Sequence, residues 1–394
     1  MRAGFVALAL AYLMSQFFRA FLAVLAPMLS ADIGTRAEDL AFASGIWFAA
    51  FAGLQLPVGH ALDSLGPRRT AGGLFLLAGA GSAVFALANG PVAVAVAMAL
   101  IGAGCAPVLM ASFYIFARVY PPQVFASLGG LLIGVASAGN VAAAAPMAWA
   151  ASAFGWRSCL WALAAVSVAI AVAVLAFVRD PARAEAAPGE EAGFRAVLLS
   201  PALLLVLPLT LVHYAPVGGI RGLWAGPYLA DVFGLSPVQI GNVTLAMGLA
   251  MIVGNFAYGP LDRLLGTRKG GLLAGNLLLA ACIFALALWP AAGVWPAALL
   301  LCAVGFFGSS FPLMIAHGRS FFPAHLAGRG VSFLNFLAIG GAGLAQIGTG
   351  WLHGAVEAAT PGHPEAPYSA IFQGFALSVL AGCAVYAFAR DRTD

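Results

Sequence analysis

The sequence predicts an all-α polytopic membrane protein, with twelve transmembrane helices in two pseudo-symmetric six-helix bundles. Three observations point there. Hydrophobic residues make up 62% of the 394 positions and charged residues only 8%, whereas an ordinary soluble domain carries about 25% charged residues. The apolar residues gather in runs near the ~20 positions that cross a bilayer core. One short polar loop, Gly59-His60-Ala61-Leu62-Asp63-Ser64-Leu65-Gly66-Pro67-Arg68-Arg69-Thr70, returns in degenerate form as Pro260-Leu261-Asp262-Arg263-Leu264-Leu265-Gly266-Thr267-Arg268-Lys269. Asp32 precedes Asp63 by 31 residues, and Asp231 precedes Asp262 by the same 31, so two half-chains share one plan.

Helices are expected at 4–29, 40–61, 71–89, 92–116, 124–152, 157–178, 199–229, 237–262, 270–289, 293–317, 329–353 and 369–389. The first run continues past Arg19 to Leu29 without a cleavage pattern, which makes it a span rather than a signal peptide. Asn89-Gly90-Pro91, the stretch Pro290 to Pro296 and the polar 354–368 segment mark outer turns. The halves are 1–178 and 199–394. Between them, 179–198 reads as a flexible linker rich in Ala, Pro, Glu and Arg, with a short interfacial helix from Phe194. Small residues crowd the fifth run (Gly130, Gly134, Gly139) and the eleventh (Gly340, Gly341, Gly343), where they permit close helix approach. The five cysteines stand singly in apolar runs and read as small core residues.

The net charge of +4 does not call for nucleic acid, because the cations are sorted by loop. Arg2, Arg68, Arg69, Arg118, Arg179, Arg183, Arg195, Arg263, Arg268, Lys269, Arg319, Arg329, Arg390 and Arg392 fall on one side, and only Arg36 and Arg157 on the other. That asymmetry puts both termini in the cytoplasm.

At Gly59, Asp63, Gly66, Arg68 and Arg69 the chain resembles the major facilitator superfamily, whose G-x-x-x-D-x-x-G-x-[RK]-[RK] signature lies between the second and third helices. The Asp262 loop resembles its degenerate copy between the eighth and ninth. Gly155-Trp156-Arg157 is similar to the G-W-R turn common between helices five and six. The resemblance implies two bundles around a central cavity, alternating access, and a gating role for Asp63. There the Asp helps hold the cytoplasmic side closed, by pairing with cations and a helix N-terminus. Asp262 should matter less.

Two cations lie inside spans. Arg19 is about 15 residues, roughly 20 Å, into the first. A central arginine costs about 2.5–3.5 kcal/mol on insertion scales, so it faces a cavity or a partner. Arg221 holds a related place: Arg19 is 13 residues before Asp32, and Arg221 is 10 before Asp231. Such a pair makes an anion clamp, each member able to grip carboxylate or phosphate through two parallel donors. The bland reading is that backbone carbonyls or structural bridges neutralise them. Arg19 to Pro27 resembles the first-helix pattern of the organic-anion and organophosphate branches, an Arg eight residues before Pro. Trp224 matches a helix-seven Trp of the organophosphate exchangers, but Arg221 lies one turn later than their second Arg.

His213 is the histidine expected well inside a span, with His60, His317, His325, His353 and His363 in or near loops. With Tyr214 it offers a substrate contact or a proton carrier, or it is simply a satisfied interior histidine. Gln16 sits one turn before Arg19. Asn140 and Asn335 are candidate contacts that also suit interhelical hydrogen bonds. Trp47, Tyr114, Trp224 and Tyr228 line either the cavity or the membrane interface. Met247 and Met251 put two thioethers on one helix face, a Cu(I) pattern. Copper importers of the superfamily add an H-x-x-x-M that is absent here, so apolar packing is the expected role. No metal or cofactor is expected.

The expected function is secondary active or facilitative transport of a small organic or inorganic anion across a bacterial-type inner membrane, by a monomer in the lipid bilayer that is not an enzyme. Copper or flavin-like vitamin uptake and drug efflux are the other transport readings. A transporter-like sensor is the reading outside transport. All 14 acidic residues fall in loops or at helix ends. The spans therefore lack the interior carboxylate that proton-driven carriers often use, which places anion exchange or facilitated diffusion ahead of proton coupling through His213. The charge asymmetry carries the first prediction. Reporter fusions at Asp394 and within 179–198 should be active only in a cytoplasmic format, and a periplasmic-only signal at Asp394 would contradict the orientation.

Overall fold

The computed structural model describes residues 2–120, 122–181, 200–258, 264–323 and 327–392. Most of the expected linker, the segment from Phe194, and Asp262 with Arg263 lie outside the described residues. Every regular element among those described is helical. Among the described residues, ten helices are long and apolar enough to cross a membrane. Two bent pairs, Ala3–Phe17 with Leu22–Ile33 and Leu131–Ala142 with Ala145–Phe154, complete twelve.

Most interruptions of these spans trace to proline. A helical proline donates no hydrogen bond, and its ring crowds the carbonyl four residues back. Breaks accordingly fall at Leu54 before Pro57, Ala106 before Pro107, 143–144 before Pro146 and 308–310 before Pro312. The seventh span, Pro201–Phe233, carries three such prolines. It breaks at 205–206 before Pro208 and at 213–214 before Pro216. It then widens into a π turn, Ile220–Trp224, ahead of Pro227. The first span is different. It bends by 54° between Phe17 and Leu22, and its one proline, Pro27, sits well inside the second piece.

The eleventh span also departs from expectation. Its helix runs Ala327–Ala359, past the boundary expected at 353. His353, placed near a loop by the sequence reading, is therefore inside a helix and buried, stacked on Trp224 at 5.3 Å and against Tyr368 at 5.2 Å. His317 does lie near a helix end, in the last turn of Phe311–Arg319, yet it is fully buried, and Tyr386 Oη and the Arg390 carbonyl give its two ring nitrogens partners at 2.6 and 3.2 Å.

The chain forms two compact units, Met1–Glu185 with Ser236–Leu245, and Ala186–Leu235 with Ala246–Asp394. Each contains close backbone approaches that only glycine allows. In the first unit a Cβ on Gly139 would strike the Leu13 carbonyl, and one on Gly102 the Trp47 carbonyl. In the second unit Gly341 meets the Leu211 carbonyl and Gly305 the Met247 carbonyl. The two units thus repeat one packing scheme, built from small residues rather than from hydrophobic drive, which lipid abolishes between helices.

Candidate functional site

Arg19 lies within the four-residue gap that bends the first span. The turn there is tightened: Arg19 N–H donates to the Gln16 carbonyl at 3.3 Å and Ala20 N–H to the Phe17 carbonyl at 3.0 Å. Its guanidinium rests against two aromatic faces of the second span, with Cζ 4.8 Å from the Phe51 centroid and 5.4 Å from that of Trp47. These rings are nearly parallel, 5.3 Å apart. Aromatic faces attract a cation but accept no conventional hydrogen bond. Arg19 Nε is buried and has no hydrogen-bond partner among the described residues. Neighbouring Gln16 donates to Tyr12 Oη at 3.1 Å.

Arg221 sits on the π turn of the seventh span and is only 5% exposed. Widened turns of this kind are frequent at functional sites. Two residues one turn apart on the eleventh span bracket the turn. Gln346 Nε2 donates to the Gly219 carbonyl at 3.4 Å, and Trp224 Nε1 donates to Thr349 Oγ1 at 3.0 Å. Room for the guanidinium comes from Gly248, where a Cβ would lie 2.9 Å from Arg221 Nη2. The Met247–Met251 segment thus holds a glycine that makes space for an arginine, while the two thioethers pack at Gly305. Trp224 has its N–H occupied by Thr349 and is fully buried.

His213 is fully buried, about two turns before the π turn of Arg221 begins. Its Nδ1 faces the Leu209 and Thr210 carbonyls at 3.1 and 3.0 Å. Carbonyls only accept, so Nδ1 carries the proton and Nε2 presents a lone pair. Nε2 is buried without a partner among the described residues. The ring stacks on Phe311 at 5.8 Å, and Tyr214 meets the same Phe311 edge-on at 5.7 Å. Tyr214 is also within electrostatic reach of Arg221. Asn140 and Asn335 are half-buried on the fifth and eleventh spans.

The signature loop is a second cluster. Asp63 accepts from Tyr114 Oη at 3.0 Å and pairs with Arg118 Nη2 at 3.4 Å, and Arg118 also bonds the Tyr114 hydroxyl. The N-terminus of the third span, Pro67–Ala86, is capped instead by Asp180, whose Oδ1 accepts from Arg68 N–H at 2.7 Å. The Arg68 side chain reaches the Leu175 carbonyl. Gly66 has φ +86°, and a Cβ there would strike the Asp180 carboxylate. Gly59 faces open space. Arg69 helps line a cavity of about 260 Å³ shared with Leu62, Gly66, Tyr114 and Asp180. The second unit repeats the cap: Asp391 Oδ1 accepts from Lys269 N–H at 3.0 Å. Partial burial raises the Asp391 carboxyl, but the Thr267 hydroxyl, the Lys269 N–H and His317 hold it below its usual range on balance.

Sequence reasoning missed Phe51, Thr349, Gly248 and the two capping aspartates. A signal for the last existed, since Arg179-Asp180 and Arg390-Asp391 end the two halves with the same dipeptide.

A multi-pass helical protein with two equivalent units, each holding an arginine at a backbone irregularity inside a span, has the architecture of a membrane transporter. The chain belongs to the major facilitator superfamily, whose family model matches residues 8–220 and 206–394. Solved structures agree on the fold. A D-xylose–proton symporter superposes with a TM-score of 0.79 at 14% identity, covering 99% of this chain and 98% of that one. A nucleoside transporter gives 0.75 at 13%, covering 98% and 99%. A bacterial homologue of the human lysosomal transporter Spinster, inward-facing and occupied, gives 0.69 at 18%, covering 97% and 94%. No curated protein matches the chain by sequence.

The Asp63 contacts generate a prediction. Asp63→Asn should lower transport severalfold while expression and detergent stability stay near wild type, and Arg118→Gln should do the same. If the two act through one ion pair, the double variant is no worse than either single one. Additive losses would show that the carboxylate works through something other than Arg118.

Proposed function

We propose that the protein transports a small organic or inorganic anion across a bacterial-type inner membrane, and that Arg19 and Arg221 are its principal anion-binding residues. One observation carries this reading. Arg19 is a guanidinium in mid-span that rests on aromatic faces, with no carboxylate paired to it among the described residues. An intramembrane cation normally pairs with an acid or a carbonyl, or serves a ligand. Here the compensating charge is left for the solute to bring. A neutral sugar or nucleoside, of the kind carried by the two sugar- and nucleoside-transporting neighbours, would not neutralise it.

His213 adds the coupling question. Its bare Nε2 lone pair can accept a hydrogen bond from a solute or take up a proton. Anion exchange and facilitated diffusion need no titrating group, since solute occupancy itself neutralises the arginines. We place these first, and the gating role belongs to the Asp63 cluster.

The test is a thermal-shift titration of the purified protein with inorganic phosphate, succinate, benzoate, D-xylose and uridine. At least one anion should raise the melting midpoint in a saturable way, and Arg19→Ala and Arg221→Ala should each abolish that response. Arg19→Lys and Arg221→Lys should recover only a small part, because lysine keeps the charge and loses the planar fork. A response to xylose or uridine that survives both Ala variants would overturn the anion reading.

A further inference from the structure

We infer that Trp47 is a binding residue, its indole N–H acting with the Arg19 Nε–H as a two-donor site for a fully deprotonated oxyanion, a carboxylate or a phosphate. The inference rests on the anion reading and narrows it to the chemical group that the first unit grips.

Buried N–H groups in folded proteins nearly always have an acceptor, and each exception calls for an explanation. The interior of the first unit holds two exceptions on side chains that touch. Trp47 is 1% exposed, and its Nε1 has no partner among the described residues; nor has Arg19 Nε. An indole and a guanidinium carry donors only, so neither can satisfy the other. A buried donor left unpaired costs about 1–3 kcal/mol, and more when it is charged. Two such donors, on side chains in cation–π contact and with no mutual remedy, fit an acceptor that is supplied from outside the chain.

The neighbourhood fixes both donors without filling them. Trp47 packs edge-on to Phe48 at 5.0 Å and parallel to Phe51 at 5.3 Å. Its backbone carbonyl lies against Gly102 of the fourth span so closely that any side chain there would collide with it. Donors held in place by packing need no reorganisation when charge arrives. The occupant must therefore bring lone pairs, and a negative charge to match the guanidinium. A carboxylate or phosphate does so. A sugar hydroxyl could accept from one donor, but it brings no charge to offset the Arg19 guanidinium. Both donors are closed off from water here, so a solute reaches them only when the helices around them part, as alternating access requires.

The test uses the full-length protein and Trp47→Phe, which keeps an aromatic face for Arg19 but loses the N–H together with part of the fused ring, so a cooperative melt of the ligand-free variant is the control for folding. Calorimetric titrations with inorganic phosphate and with benzoate are compared for wild type, Trp47→Phe and Arg19→Ala. Trp47→Phe should weaken whichever anion the wild type binds by about tenfold to a hundredfold, the loss of one hydrogen bond to a charged group, while the ligand-free variant still melts cooperatively. In ¹⁵N-tryptophan-labelled protein, the indole signal that Trp47→Phe deletes should move downfield as the anion is added. Binding lost in Arg19→Ala but equal to wild type in Trp47→Phe, or an indole signal that stays in place, overturns this inference alone. No anion binding by the wild type, or binding that survives Arg19→Ala, overturns the anion reading and this inference together.

Discussion

A cation kept in a membrane span without an acid beside it is the constraint on which the rest depends. Water cannot reach Arg19 Nε, and the hydrocarbon around the spans offers nothing polar. The protein meets part of the charge with the π faces of Trp47 and Phe51 and leaves the in-plane donors uncommitted. That choice dictates local backbone. A straight helix would have fixed Arg19 in a continuous ladder, and instead the span is bent by 54° around it. The second unit reaches a related arrangement by another route, setting Arg221 on a π turn ahead of Pro227.

Irregular backbone inside a membrane has to be supported, because each freed polar group is costly there. The seventh span shows how this is met. Gln346 and Thr349 hold the two ends of the π turn, and His213 turns its own Nδ1 onto carbonyls next to the break at 213–214. The same histidine is thereby locked in one tautomer, with its acceptor nitrogen spare. Structural support and chemical readiness come from one contact. Glycine does the complementary work: Gly248 leaves the volume that Arg221 fills, and Gly139 and Gly341 let neighbouring backbones approach in each unit.

Much of this was legible in the sequence, and the reasons are specific. Spans announce themselves because a bilayer demands long apolar runs, and the loop motif at Asp63 and Asp262 betrays the repeat. Arg19 and Arg221 stood out because charges are rare in such runs. Breaks were legible in principle from Pro57, Pro107, Pro146, Pro208, Pro216 and Pro312, since the missing N–H acts locally. The bend at Arg19 was not, because no proline marks it. Partners across helices were also hidden: nothing in Gln346 or Thr349 says which turn it braces, and Gly248 looked like a spacer between two methionines. His353 was misplaced because the eleventh helix runs on to Ala359 through Ala355, Ala358 and Ala359, good helix formers in a stretch that reads as the start of a polar loop.

The most direct test is to see where an anion sits. Crystals of the wild-type protein grown with 4-bromobenzoate or selenate, whichever binds in solution, would locate bromine or selenium by anomalous scattering. The account predicts a peak whose oxyanion lies within hydrogen-bond distance of the Arg19 guanidinium, with the Trp47 and Phe51 rings still stacked against it. A bound and transported anion located away from Arg19, with Arg19 Nε still unpartnered, would contradict it.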